Sequence, residues 1–322
     1  MSQSADLQVG ASACHNLRVP LILVLLVLLA GCAPAVQPSA VPQVETGYHC
    51  PMHANVRSAV PGTCPRCGMT LVAGPTQPLS TEYHFEIETS PRVLRSGVPG
   101  TVRFVVREAG SGTIVRRFET VHERMFHLFL VSQDLEYFAH LHPELRSDGS
   151  LDMTLELPRP GPYHFYADFL PVGAMPQLLH AAIVTADYEG TLAAAERPLA
   201  TDLTDKVVEG IRVRLESPKQ VAGREQVISV FLEDTASGHP VTDLERYLGA
   251  WGHVVILSWD LADVVHSHPL TEVSDEGGPR IVFSQRFPRA GRYRVWTQFQ
   301  RRGEMVIASF TLDVAEATES PN

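Results

Sequence analysis

Beyond residue 80 the chain is built from short runs in which apolar residues either alternate with polar ones or follow one another for several positions. Residues 102–106, 126–131, 151–157 and 163–169 are such runs, separated by Gly, Pro, Ser and Asp. Runs of this kind between turn residues predict β-strands. The series returns at 227–232, 253–259, 281–287 and 293–299. Sliding the chain by 126 residues brings Gly97 onto Gly223, Ser111 and Gly112 onto Ser237 and Gly238, His127 onto His253, and His140-x-His142-Pro143 onto His266-x-His268-Pro269. A four-residue insertion then moves the offset to 130, where Gly161 and Tyr163 meet Gly291 and Tyr293, and Phe169 meets Phe299. Such an internal repeat predicts two copies of one domain, over 81–188 and 207–316, joined by a linker, 189–206, whose stretch 192–197 alone looks helical. Short strands at this spacing in about 105 residues predict an antiparallel β-sandwich of immunoglobulin type, so the expected fold class is all-β.

The first 80 residues follow a different pattern. Residues 21–30 form a continuous apolar run behind Arg18. It is too short to cross a bilayer core of about 30 Å as a helix and suits the core of a secretory signal. The run ends in Leu29-Ala30-Gly31-Cys32, which resembles a bacterial lipobox. That resemblance implies removal of 1–31 as a signal peptide and lipidation of Cys32. Ala33 behind it is compatible with outer-membrane sorting, so the expected place is the cell envelope, lipid-anchored at the outer membrane and facing the periplasm. Residues 32–46, rich in Pro, Ala, Val and Gln, read as a spacer, and 73–80 as a second polar link.

Charge and cysteine usage narrow the picture. The 322 residues carry a formal net charge of −10, without the basic patch a nucleic-acid partner requires. Of five cysteines, Cys14 leaves with the signal and Cys32 is acylated, which leaves Cys50, Cys64 and Cys67. An odd number of thiols in an oxidising compartment points to metal ligation over a disulfide framework.

Those three thiols fall within residues 47–73, a segment that reads as a metal knuckle. Cys50 and His53 form a Cys-x2-His pair, and Cys64 and Cys67 a Cys-x2-Cys pair, the ligand count of a closed tetrahedral site. His49 is an alternative imidazole. Met52 and Met69 each lie two residues from a ligand cysteine, where soft thioethers favour Cu(I); without them the same set suits structural zinc. A redox dithiol at Cys64 and Cys67 is the other reading of the pair.

Tyr48, Cys50, Pro51, Met52 and His53, followed by Pro61, Gly62, Cys64, Pro65, Cys67, Gly68, Met69 and Leu71, make a pattern that resembles the small heavy-metal-binding domain attached to copper and silver efflux adaptors and to some copper-transporting P-type ATPases. The resemblance spans about 25 residues. Ala54 and Ala59 stand where that family usually has a proline and an acidic residue. The resemblance implies a bound heavy metal, Cu(I) at the knuckle or zinc, and a metal efflux complex as a possible partner.

The repeats add histidines. If the hairpin after 126–131 turns about Asp134 and Leu135, His127 lies directly opposite His142, and His140 shares their face one step along. Turning about Asp260 and Leu261, the second copy does the same with His253, His266 and His268. A one-residue slip would send His127 to the other face. Three imidazoles without partners make a poor core and a good site for Cu(II), zinc or nickel. Packing or hydrogen bonding is the competing role. Asp168 and Gln298 are equivalent by the repeat and could back or complete the ligand sets. His164 and His180 lack counterparts and read as structural or surface residues, and Tyr166 and Trp296 as core.

The expected function is a lipid-anchored envelope protein that binds copper or a related soft metal for sequestration or handover to an efflux system. The alternative is a zinc-stabilised docking lipoprotein whose β-domains are interaction modules. No general base accompanies the histidines in both copies, since Glu144 and Asp263 do not align, and no nucleophile motif is present in the β-domains. The chain therefore reads as non-enzymatic, with no catalytic residues.

Overall fold

The structure is a computed structural model that describes residues 46–51, 56–65, 69–75, 81–270 and 277–317. The signal segment, Cys32, Met52, His53 and Cys67 lie outside the described residues.

The knuckle carries its own small sheet. Thr46–His49 (β1), Arg57–Ser58 (β2) and Val72–Pro75 (β3) pair antiparallel in the order β2-β1-β3. Ala73 and Gly74, read from sequence as the start of a polar link, instead pair with Tyr48 and Gly47 in β3. Gly and Pro suit an edge strand of this kind, and their presence hid it. Cys50 and Cys64 are buried together with Leu71, against Tyr48 and Val56.

The first repeat is a sandwich of two four-stranded sheets. Its strands are Tyr83–Ser90 (β4), Gly100–Glu108 (β5), Phe126–Ser132 (β6), Phe138–Leu141 (β7), Glu144–Leu145 (β8), Leu151–Leu155 (β9), Pro162–Phe169 (β10) and Gln177–Val184 (β11). They are ordered β4-β5-β9-β8 and β11-β10-β6-β7. A short helix, Leu192–Ala195 (α1), follows, with the Thr191 side chain accepting from the Ala194 amide. The second repeat contains Lys206–Val208 (β12), Ile211–Glu216 (β13), Gln220–Val221 (β14), Glu225–Asp234 (β15), His253–Ser258 (β16), Val264–Ser267 (β17), Arg280–Arg286 (β18), Gly291–Arg301 (β19) and Glu304–Ala315 (β20). Its sheets run β12-β13-β15-β18 and β14-β20-β19-β16-β17. In both repeats a tyrosine hydroxyl donates to the carbonyl four residues back, Tyr163 to Arg159 and Tyr293 to Arg289, each at 2.9 Å. That is the tyrosine corner of immunoglobulin-type sandwiches. The molecule is all-β as expected, two tandem immunoglobulin-like sandwiches behind a small knuckle.

Burial shows how the repeats meet. Every residue of β6 is buried, and so is every residue of β16. Alternate residues of a strand face opposite ways, so two separate environments must cover each strand. Phe126, Leu128 and Leu130 enter the core of repeat 1, and Val254 and Ile256 that of repeat 2. The opposite faces supply Phe129, Val131, Val255 and Leu257, which join Leu135, Tyr166, Leu199, Leu261 and Trp296 in a third cluster drawn from both repeats. Phe138 stacks on Trp296 with centroids 4.7 Å apart, and the Tyr166 hydroxyl donates to the Leu261 carbonyl at 2.7 Å. The two sandwiches thus pack back to back through β6 and β16.

Candidate metal centre

The β6–β7 hairpin sets the register that the histidines depend on. The Ser132 hydroxyl donates to the Asp134 carboxylate at 2.5 Å and accepts from the Tyr137 amide at 2.9 Å, while the Glu136 amide donates to Asp134 at 3.2 Å. Leu135 completes the turn at φ 56°. Ser258, Asp260, Ala262 and Asp263 repeat the arrangement at 2.6, 3.3 and 2.9 Å, with Leu261 at φ 62°. Serine and aspartate side chains that cap backbone amides in this way fix a tight turn. Phe129 then pairs with His140 and Leu128 with Leu141, so His127 and His142 are the next opposed positions. Val255 pairs with His266 and Val254 with Ser267, which opposes His253 and His268 in the same way.

The two triads, His127/His140/His142 and His253/His266/His268, each bring one ligand atom per ring to within 4.8 Å of the others. In the first triad, His127 Nδ1 lies 3.0 Å from His140 Nε2 and 3.3 Å from His142 Nε2. The far side of each ring decides where its proton sits. His127 Nε2–H donates to the Val121 carbonyl at 2.9 Å, and His140 Nδ1–H donates to Gln298 Oε1 at 2.9 Å. A neutral imidazole carries one N–H. With those tautomers His127 Nδ1 and His140 Nε2 face each other as lone pairs, an arrangement compatible with a bound cation. Only His142 can place a proton there, and one proton cannot serve both.

The second triad repeats this layout. His253 Nε2–H donates to the Tyr247 carbonyl at 2.8 Å, and His266 Nδ1–H to Asp168 Oδ2 at 2.9 Å. That leaves His253 Nδ1, His266 Nε2 and both nitrogens of His268 buried without a hydrogen bond. The backing groups are exchanged between repeats: Gln298, in repeat 2, holds a ring of repeat 1, and Asp168, in repeat 1, holds a ring of repeat 2. Carboxylate or amide oxygens behind imidazoles are what orient metal-ligating histidines.

His122 is a seventh imidazole that the sequence reading did not single out. Its ring stacks on His268 with centroids 3.5 Å apart, and its Nε2 is buried without a partner. It sits at φ 48° in the turn before β6, and its repeat equivalent is Leu248 at φ 51°. The conformation was repeated and the imidazole was not, so the repeat alignment carried no signal for it.

Electrostatics favour the neutral rings that a metal needs. Burial, with help from neighbouring histidines, lowers His122 to about 2 and His142 to about 3. Burial lowers His253 to about 4 and holds His140, His266 and His268 well below the usual imidazole range. Burial pushes Asp168 up, against the pull of His127. His127 and His253 are only 2% and 0% exposed.

At the knuckle, Cys50 N–H donates to the Val56 carbonyl at 3.0 Å, and Cys64 N–H to the Met69 carbonyl at 2.7 Å. These bonds hold the start of each chelating turn. His49 is buried and faces elsewhere: a Cβ on Gly74 would stand 2.7 Å from His49 Cε1 and 3.2 Å from the Ala174 carbonyl. Gly74 thus lets the knuckle seat against repeat 1, with His49 in the seam. Among the described residues His49 is not grouped with Cys50 and Cys64 as a ligand set. Pro51 lines a small cleft together with Met125, His127 and Asp168, so the cysteine turn abuts the first triad. Of the remaining histidines, His164 Nδ1 and His180 Nε2 lie 2.9 Å apart on the outer face of β10 and β11.

No curated protein sequence matches this chain. Among solved structures, FdeC, an Escherichia coli adhesin, aligns at 16% identity over 77% of this chain and 68% of its own, with a TM-score of 0.24. Fibronectin(III)-like modules of Clostridium thermocellum CbhA align at 9% over 74% of this chain and 98% of theirs, at 0.21. Similarity this low carries no functional argument. The heavy metal binding domain matches residues 48–73. A domain of unknown function, DUF8832, matches twice, over 80–186 and 206–316. The chain, a heavy metal binding domain followed by two copies of DUF8832, belongs to the DUF8832 family.

Proposed function

We propose that this is a lipid-anchored envelope protein that takes up copper or a related soft metal at its knuckle and holds it at the histidine triads, for sequestration or for handover to an efflux system. The observation that carries this reading is the 3.0 Å approach of His127 Nδ1 to His140 Nε2, with the oxygens of Val121 and Gln298 on the far sides of the two rings to take their protons. Neutral imidazoles suit Cu(II) and zinc, while the thiolates of Cys50, Cys64 and Cys67, with Met52 and Met69 beside them, suit Cu(I). The cleft where Pro51 meets His127 makes the two kinds of site neighbours, so an ion would pass between them by ligand exchange with its oxidation state unchanged, since imidazole accepts copper as well as zinc. Nothing in the ligand sets supplies a general base, and the reading is non-enzymatic.

A zinc-stabilised docking module is the second reading, favoured by the burial of Cys50 and Cys64 against Leu71. Metal content and Cu(I) competition on the full chain decide between them. The comparison includes a Cys64→Ser/Cys67→Ser variant and a His140→Ala/His142→Ala/His266→Ala/His268→Ala variant. Loss of one tightly held Cu(I) in the first, and of Cu(II) or zinc in the second, is the expected result. A single zinc retained in full by the histidine variant would transfer the case to the docking module.

A further inference from the structure

The two triads do not stand apart. Across the boundary between repeats, the ring centroids of His127 and His266 are 5.5 Å apart, those of His140 and His266 5.6 Å, and those of His140 and His253 5.8 Å. Within a triad the separations run from 4.4 Å, for His266 and His268, to 5.8 Å, for His253 and His266. Rings of opposite triads are thus as close as rings of one triad, and no side chain fits between rings in contact. The exchanged supports, Gln298 behind His140 and Asp168 behind His266, tie the orientation of each triad to the other repeat.

Resting on the metal-binding reading above, we propose that the two triads form one binuclear centre, in which two ions share a single chamber and are bridged by a small anion of the hydroxide or azide class. Three imidazoles per ion leave a coordination position open. Two divalent ions bring four positive charges, while the carboxylate hydrogen-bonded to the triads is Asp168. In a site this buried, like charges repel strongly and water screens them little. An anion held between the ions offsets both charges at once and fills both open positions. The two repeats thereby provide something that neither provides alone, a place for one ligand on two metals.

The test is a Cu(II) titration of the full chain carrying Cys64→Ser/Cys67→Ser, which removes knuckle copper, followed by copper analysis and electron paramagnetic resonance. The expected result is two Cu(II) in the histidine site with less than half the signal of two independent spins and a half-field transition, and one azide bound per copper pair. Removing one triad by His253→Asn/His268→Asn, or the other by His140→Asn/His142→Asn, should leave one copper with the full signal of one spin. Two coppers with the full two-spin signal, or one copper shared by all six histidines, would overturn the binuclear centre while leaving metal binding intact. A histidine site that takes neither copper nor zinc overturns the metal-binding reading and this proposal with it.

Discussion

A single oxygen behind each of four rings decides what these histidines can do. Val121 and Tyr247 accept from Nε2, and Gln298 and Asp168 accept from Nδ1, so the nitrogens turned inward carry lone pairs. Asp168→Ala should therefore weaken metal binding about 10-fold to 100-fold without touching a ligand, as removal of such supports commonly does; isothermal titration with Cu(II) or zinc reads the change. His164, away from the centre, tests the electrostatics on its own. Burial and the His180 ring lower its folded pKa to about 4, below the ordinary 6.5. An unfolded chain takes up that proton near 6.5 and the folded one resists it, so the contribution of His164 to stability is present above pH 6.5 and lost as pH falls towards 4. Its ring protons in an NMR titration should shift with a midpoint near 4, and His164→Gln should flatten the acid limb of the melting curve. At this scale the six triad histidines were legible because duplication wrote three positions twice at one spacing. His122 was not, because it reaches its neighbour His268 across the domain boundary and its own copy is a leucine.

At the scale of elements, two serine–aspartate turns carry the site. Ser132 and Ser258 each satisfy one amide and engage one carboxylate, and their loss frees the register on which the opposition of His127 to His142 and of His253 to His268 depends. Ser132→Ala should cost about 1 kcal/mol of stability and lower metal affinity at the first triad more than at the second, as chemical denaturation and titration would show. The hairpins were readable from the Asp-Leu pairs in the sequence. What β6 and β16 pack against was not: an uninterrupted apolar strand reads the same whether its second face meets a helix, a sheet of its own domain or another domain. The strand Tyr83–Ser90 is a different case: its Tyr, Phe and Ile half-bury while the His and Glu residues between them face solvent, a strict alternation that its sequence does carry.

For the whole molecule, the shared cluster of Phe129, Tyr166, Val255 and Trp296 is what makes two sandwiches one unit. Truncating its centre, Phe129→Ala, should cost about 3–5 kcal/mol if the repeats unfold together. A single cooperative transition at lower temperature is the calorimetric expectation, and two separate transitions in the unaltered protein would show that the cluster does not couple them. Seating of the knuckle is separable from this. Gly74→Val forces a side chain against His49 and the Ala174 carbonyl, so the histidine site should keep its metal while transfer from the knuckle slows; stopped-flow transfer of Cu(I) is the readout. The exchange of Gln298 and Asp168 between halves also bears on ancestry. A forebear with one copy of the domain could have completed such a site by pairing with its twin about a two-fold axis, each lending the other the oxygen behind its imidazole. Joining the copies in one chain would then have freed them to differ, and they do: an aspartate now stands where symmetry asks for glutamine, and a histidine where it asks for leucine. Of two ions held there, the one whose ring is backed by the carboxylate would have the more basic imidazole, and a pair that began as equals would have become unequal.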